Sequence, residues 1–143
     1  MMFYYLYLTP TMAFYKTNFY YKFHEKNVMY IAYVGKIERQ DIYKYGITRN
    51  LFKREYEQHR KTFNTFEMVH VKPTFHMAQA EDLFEMELKL RNLHRKLEFG
   101  GKQQIELFTL DDNYDIDYIK RLVNRISAHV DKDIYTIKRQ RSK

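Results

Sequence analysis

The sequence predicts an α+β domain, with a small antiparallel sheet flanked by helices in the order β-β-α-β-α-β-α. Two runs rich in β-branched and aromatic residues, 28–34 and 42–48, are separated by a polar segment typical of a hairpin turn. Apolar residues recur at spacings of three and four over 77–97 and again over 114–130, which is the spacing of a helix with one buried face. The 143 residues have the length of one ordinary domain.

The predicted hairpin consists of a half-buried strand at 28–34, a polar turn at 35–41 and a second strand at 42–48. Gly46 lies inside the second strand, where it leaves room for a close backbone approach or a bulge. Tyr30 and Lys44, the candidate functional side chains of this hairpin, are therefore expected on neighbouring, paired strands.

A helix is expected over 51–61, because Asn50 is a residue type that caps helices. Arg54 falls in its first turn, where the helix dipole does not favour a cation. Its guanidinium is nevertheless placed to present two parallel donors to a phosphate.

The remaining expected elements are a strand at 66–75, a long helix at 77–97, a strand at 104–110 and a helix at 114–130. Gly100-Gly101 is expected to end the long helix. The core stripe of that helix is predicted to be Leu83, Met86, Leu90, Leu93 and Leu97, widened by Ala80 and Phe84. The tail after Asp131 is rich in Lys and Arg and is expected to be mobile.

The net charge of the chain and its lack of cysteine indicate what kind of partner it binds and in which cellular compartment it occurs. A formal net charge of +7 favours a polyanion such as nucleic acid as the partner, the alternative being a basic domain with no nucleic-acid role. The absence of cysteine excludes disulfides and thiolate metal sites, which fits an intracellular, reducing compartment.

Residues 1–27 form an extension with two aromatic clusters, at 3–8 and 14–23. Neither is long enough to cross a membrane, and no basic segment precedes an apolar one as in a signal peptide. The extension is interpreted as an added strand or a cover for the core, because exposed aromatics at this density would promote aggregation. Stacking platforms for unpaired bases are the alternative. A start at Met12, which would omit the first eleven residues, also stays open.

The hairpin and the following helix resemble the GIY-YIG nuclease superfamily, most closely its phage and large-virus DNA-binding branch. Residues 28–30 correspond to the first motif, 44–46 to the second, and Arg54 to the essential arginine. The first motif lacks its glycine, and Lys44 stands where most members have tyrosine. Tyr33 is an alternative to Tyr30. The resemblance covers 28–110 and leaves 111–143 as a C-terminal helix and basic tail.

The resemblance implies Mg²⁺-dependent hydrolysis of DNA. Tyr30 would activate water, as a phenolate or by relaying a proton, with its pKa lowered by the metal or by Lys44. Lys44 and Arg54 would stabilise the charge of the transition state, and Glu85 would hold the metal.

Two further side chains have secondary roles in this reading. Glu81 is the reserve metal ligand, and His59 is an auxiliary catalytic residue.

DNA phosphates are expected to contact a basic set of residues: Arg49, Lys53, Arg60 and Lys61. One alternative function is a catalytically inactive DNA-binding module on the same fold. Another is a viral scaffold or host-interaction protein that uses the aromatic extension. A viral protein acting in the host cell fits both the resemblance and the compartment. No membrane partner is expected, and the exposed tyrosines are compatible with a homodimer.

Overall fold

The computed structural model describes residues 22–23, 25–59 and 62–141. In chain order, its elements are β1 (Val28–Ile37), β2 (Gln40–Thr48), α1 (Leu51–Lys53), a π-helical segment (Arg54–His59), β3 (Glu67–Pro73), α2 (Met77–Leu90), β4 (His94–Phe99), β5 (Lys102–Phe108) and α3 (Ile116–Arg141). The strands in these ranges form one antiparallel sheet in the order β3-β1-β2-β5-β4. The predicted α+β class is confirmed, with one strand more than expected.

Strand β1 lies inside the sheet and is buried on both faces. Met29 and Ile31 belong to a core cluster with residues of α2 and α3. Val28 and Tyr30 belong to a second cluster with Leu51 at the start of α1. The expectation of a half-buried strand is therefore wrong, because apolar side chains occupy both alternating sets of positions.

The β1–β2 turn is tighter than predicted. Both strands extend into the expected 35–41 turn, leaving only Glu38 and Arg39, whose φ angles are 52° and 68°. Two consecutive left-handed residues match the twist of paired strands.

The long helix expected over 77–97 is wrong in its second half. Helix α2 ends at Leu90, Asn92 has a φ of 58°, and β4 begins at His94. Gly100 and Gly101, with φ angles of 59° and 77°, form the β4–β5 turn rather than a helix end.

The buried stripe of α2 agrees with the predicted one only in part. Ala80 and Phe84, which were expected to widen the stripe, are buried together with Leu88. Met86 and Leu90 were also expected to be buried but are 58% and 78% exposed. The prediction included leucines beyond the end of the helix, and these turned the predicted stripe away from the observed buried face.

The other predicted elements are present with shifted bounds. Strands β3 and β5 fall within two residues of the expected 66–75 and 104–110. Helix α3 extends to Arg141 rather than ending near residue 130, and so includes part of the tail; the mobility expected of the tail stays a prediction. Within the described residues, no helix is both long and apolar enough to span a bilayer.

The aromatic extension is described only in part. Phe23 is buried in the second core cluster, as expected for a segment that covers the core. Residues 1–21 lie outside the described part of the chain.

Candidate active site

The centre of the site is a buried hydrogen bond between a tyrosine and a histidine. The Tyr30 hydroxyl lies 2.6 Å from Nε2 of His59, and the tyrosine side chain is almost fully buried. The His59 ring stacks on Phe66, with centroids 5.0 Å apart and planes within 17°. This packing holds the imidazole in place against the phenol.

Gly46 makes that position of Tyr30 possible. The two residues are paired across β1 and β2, and a Cβ at Gly46 would lie 2.5 Å from the Tyr30 hydroxyl oxygen. Gly46 was expected to allow a close backbone approach or a bulge, and the group that approaches it is instead the side chain of Tyr30.

A π-helical segment supplies two of the site residues, Arg54 and His59. In an α-helix, residues five apart point about 140° away from each other. A π-helix bonds residue i to residue i+5, so these side chains lie on nearly the same face. The positive charge of Arg54 influences the pKa of both His59 and Tyr30, although burial has the larger effect on each.

Burial fixes the protonation of the pair. It raises the pKa of Tyr30 well above its ordinary value, with Arg54 opposing this only in part. Burial, with help from the charges of Lys44 and Arg54, lowers the pKa of His59 to about 3. At neutral pH the phenol is therefore protonated and donates its hydrogen bond to a neutral imidazole. The expected lowering of the Tyr30 pKa by Lys44 is not found in the protein without ligands.

Lys44 is instead engaged by a carboxylate on β5. Its ammonium is buried and lies 3.1 Å from Oε2 of Glu106, which is 39% exposed. Strands β2 and β5 are paired only at Tyr43↔Phe108 and Lys44↔Leu107, so this ion pair lies where their pairing stops. No predicted site residue came from β5. The sequence feature that could have identified Glu106 as a site residue is its position as the single acidic residue in an otherwise apolar run at 105–108.

Glu81 on α2 is part of the same cluster. Burial first, and then the charge of Glu106, raise the pKa of Glu81 to about 7, while Lys44 opposes the shift. The charges of Glu81 and Glu106 also raise the pKa of Tyr30. Glu81 therefore interacts electrostatically with the Lys44–Glu106 ion pair, and the charges of both carboxylates reach the phenol.

Glu85 has different neighbours. Its Oε1 lies 3.4 Å from the Lys89 ammonium and 3.6 Å from Nε2 of His94. The same imidazole nitrogen lies 3.1 Å from the Tyr45 hydroxyl, and Tyr45 belongs to the cluster with α2 and α3. The charge of Glu81 acts on the pKa of Tyr30, whereas the contacts of Glu85 are with Lys89 and His94. The metal role predicted for Glu85 stays a prediction.

Tyr33, the alternative to Tyr30, is engaged elsewhere. Its hydroxyl donates to Asp41 at 2.9 Å, and Asp41 also pairs with Lys36. These residues lie toward the hairpin turn, so the geometry favours Tyr30 as the site tyrosine.

An open basic cleft of about 410 Å³ adjoins the site. Its lining comprises Ile47, Thr48, Arg49, Asn50, Lys53, Arg54 and Met77. The side chain of Asn50 accepts a hydrogen bond from the Lys53 backbone N–H at 3.0 Å, which confirms the predicted cap. Arg49 and Lys53, two of the predicted phosphate-binding residues, therefore share one surface with Arg54. The other two, Arg60 and Lys61, lie outside the described residues.

The donor set beside Tyr30 suits a hard divalent cation. Glu81 and Glu106 concentrate negative charge in a partly desolvated place, which a cation would relieve. Among the described residues, no group of three or more His, Cys, Asp or Glu side chains could hold a metal. Two carboxylates fit Mg²⁺, which keeps several waters and also binds substrate phosphates.

The fold and the site define a small α+β domain with a basic cleft beside a cluster of tyrosine, histidine, lysine and carboxylates. The chain belongs to the T5orf172 domain family, whose model matches residues 27–127. T5orf172 is a GIY-YIG-like, phage-associated domain of nuclease type, so the function belongs to the nucleic-acid-related class. No curated protein and no solved structure matches the chain significantly.

Proposed function

We propose that the protein is a metal-dependent nuclease of GIY-YIG type that hydrolyses phosphodiester bonds in DNA. The observation that carries the proposal is the 2.6 Å contact between the Tyr30 hydroxyl and His59, surrounded by the charges of Arg54, Glu81 and Glu106. A buried polar pair of this kind is expected where proton transfer is needed. The adjoining basic cleft suits the backbone of the substrate.

Tyr30 and His59 together supply a route for a proton. As water attacks the phosphorus atom, the phenol oxygen accepts a proton from the water and passes its own to Nε2 of His59. The phenol cannot act as the base without this transfer to His59, because burial raises its pKa and keeps it protonated at neutral pH. The phosphate adds negative charge beside the imidazole and raises the pKa of His59 from its low value of about 3.

Arg54 is the side chain best placed to bind the developing charge. It lines the cleft, and its charge also reaches Tyr30. Its planar fork can donate two hydrogen bonds to the phosphate oxygens. Arg49 and Lys53, on the same cleft, would hold the neighbouring phosphates.

Glu81 and Glu106 are the residues proposed to hold the divalent metal. When bound, Mg²⁺ supplies stabilisation of the leaving oxygen as a Lewis acid. Glu81 must lose its proton to act as a ligand, and its pKa of about 7 places that loss in the neutral range. Glu85, one turn further along α2, is the ligand that the sequence resemblance implied first, with Glu81 in reserve, and it is the alternative to Glu81 in this proposal.

A catalytically inactive nucleic-acid-binding module is the second candidate. Two observations favour it: the pKa of Tyr30 is raised rather than lowered, and Glu106 already neutralises Lys44. Such a module would keep salt-sensitive binding through the cleft but show no metal-dependent cleavage.

The test is nicking of supercoiled plasmid and of branched and single-stranded oligonucleotides, with Mg²⁺ or with a chelator. We expect Mg²⁺-dependent cleavage by the wild type and a loss of about 10²-fold or more for Arg54→Gln. Arg39→Gln is the matched control, since Arg39 is an exposed residue of the β1–β2 turn at the opposite end of the hairpin. Salt-sensitive binding without cleavage of any substrate would establish the inactive module instead.

A further inference from the structure

We propose that a second basic surface, formed by Lys72 on β3 and by Lys120 and Arg121 on α3, binds phosphates of the DNA where it leaves the cleft. This surface is called the α3–β3 face below. The inference rests on the proposed function, because it takes DNA in the basic cleft as given. It adds the side of the protein along which the DNA continues and the second set of residues that holds it.

The α3–β3 face carries positive charge that is not paired with described carboxylates. From residue 118 to residue 130, helix α3 contains Lys120, Arg121 and Arg125 but neither Asp nor Glu. No described carboxylate forms an ion pair with Lys72, Lys120 or Arg121. Arg121 and Arg125 are exposed one turn apart, and like charges at this spacing destabilise a helix slightly. A bound polyanion would relieve that repulsion.

A hydrogen bond between His70 and Asn124 joins the two parts of the face. Nε2 of His70 on β3 lies 2.8 Å from the side-chain oxygen of Asn124 on α3. Lys72 shares a face of β3 with His70, because alternate residues of a strand point the same way. Lys120 lies one turn before Asn124 on α3. The two lysines are therefore presented on either side of one inter-element contact.

The electrostatics of His70 agree with this arrangement. Burial lowers the pKa of His70, and the positive charges of Lys120 and Lys72 lower it further, against the opposing effect of the hydrogen bond to Asn124. Both lysine charges therefore act on one imidazole. That imidazole is neutral at pH 7, so the charge that the face offers to a ligand comes from its lysines and arginine.

The α3–β3 face lies two strand spacings from the cleft. Lys72 pairs with Met29, and Met29 pairs with Ile47, which lines the cleft. Neighbouring strands are about 4.8 Å apart, so the backbones of Lys72 and Ile47 are separated by about 10 Å. Successive nucleotides of a strand rise by about 3.4 Å, so this distance corresponds to about three nucleotides. One DNA segment can therefore contact both surfaces.

The repeat of positive charge favours DNA over an acidic protein as the occupant. The cleft presents Arg49, Lys53 and Arg54, and the α3–β3 face continues the same sign of charge at a distance of a few nucleotides. A nucleic-acid backbone carries one charge per nucleotide and so meets both surfaces whatever its sequence. An acidic protein would need carboxylates at two separate places to do the same.

The experiment measures affinity for a DNA duplex of about 24 base pairs, roughly 80 Å long, over a series of salt concentrations by fluorescence anisotropy. Each phosphate contact contributes about 0.9 to the slope of log affinity against log salt, so Lys72→Gln/Lys120→Gln should make the slope shallower by about 1.8. Adding Arg49→Gln and Lys53→Gln should make it shallower by about 1.8 more, because one DNA molecule contacts both surfaces.

Two further variants separate a local contact from net charge and from loss of the fold. Lys72→Arg/Lys120→Arg keeps both charges and should bind with the wild-type slope. Lys36→Gln/Arg39→Gln is the matched control, because it removes the same number of positive charges at the β1–β2 turn, at the far end of the hairpin from the cleft. Its slope should also equal that of wild type.

The outcomes distinguish this inference from the proposed function. If Lys72→Gln/Lys120→Gln keeps the wild-type slope while Arg49→Gln and Lys53→Gln make it shallower, the α3–β3 face is refuted as a DNA surface and the cleft stands. An equal change in the Lys36→Gln/Arg39→Gln control would also refute it, since the effect then reflects net charge alone. If wild type shows no salt-sensitive binding to DNA, the proposed function fails, and the face fails with it.

Discussion

Replacement of Gly46 by alanine tests the geometry of the site through stability. The added Cβ would lie 2.5 Å from the Tyr30 hydroxyl oxygen and 2.7 Å from the ring carbon that bears it. Ordinary contact begins near 3.4 Å, so the ring must move by about 0.9 Å. The ring is buried and hydrogen-bonded to His59, which leaves it little room to move.

The expected cost combines three effects. Overpacking a core typically costs about 1–3 kcal/mol. Loss of the Tyr30–His59 hydrogen bond adds about 1 kcal/mol. Alanine in a strand recovers about 0.5–1 kcal/mol relative to glycine. Gly46→Ala should therefore lower the free energy of unfolding by about 1–3 kcal/mol, measured by urea denaturation.

A double-mutant cycle shows whether Tyr30 is the cause. In a Tyr30→Leu background the ring is absent, so adding Gly46→Ala should cost nothing or stabilise slightly. If Gly46→Ala is as stable as wild type, or costs the same in both backgrounds, Tyr30 does not lie over Gly46 and the site described above is wrong.

Three further predictions address the chemistry of the site. Tyr30→Phe keeps the ring but removes the bond to His59; it should cost about 1 kcal/mol of stability and about 10²-fold or more in cleavage, measured by urea denaturation and plasmid nicking. Glu81→Gln should stabilise the metal-free protein by about 1–2 kcal/mol at pH 8 and leave it unchanged at pH 4. The sign follows from the pKa of Glu81, which is about 7 in the folded protein and 4.5 ordinarily. The folded protein therefore loses stability as the pH rises from 4.5 to about 7, and above pH 7 the ionised Glu81 carboxylate destabilises the fold in full. The expected effect of about 1–2 kcal/mol is smaller than the full pKa shift would give, because the Glu81 side chain is only half-buried and solvent screens its charge. Equal unfolding curves of wild type and Glu81→Gln at pH 8 would contradict this prediction. Arg49→Gln and Lys53→Gln should each make the slope of log affinity against log salt shallower by about 0.9, measured by fluorescence anisotropy, whereas an unchanged slope would remove them from the interface.

The hairpin and its helix cap could be predicted because their signals are local. β-Branched and aromatic content indicates β1 and β2, Asn50 indicates the start of α1, and Gly46 indicates a close approach. Which side chain approaches Gly46 depends on the register of β1 and β2, which the sequence does not give. The family resemblance pointed to Tyr30 as a site residue but did not predict its contact with Gly46.

The rest could not be predicted because it depends on packing between distant elements. Leu93 and Leu97 continue the helical spacing of α2, yet Asn92 takes a left-handed conformation and the chain turns into β4. No glycine or proline marks that break. The π-helical register that aligns Arg54 with His59 leaves no pattern in the sequence either, and Glu106 joins the site only through the pairing of β5 with β2.

The choice between Glu81 and Glu85 as the metal ligand on α2 tests the central claim most directly. Mg²⁺-dependent cleavage of a branched DNA substrate should be measured for wild type, Glu81→Gln and Glu85→Gln. Glu81→Gln should lose about 10²-fold or more in rate, because Glu81 is a proposed metal ligand whose charge acts on Tyr30 and is in turn influenced by that of Glu106. Glu85→Gln, whose partners are Lys89 and His94, should stay within about threefold of wild type. The reverse pattern, or no metal-dependent cleavage by the wild type, would contradict a nuclease site built on Tyr30, His59 and Glu81.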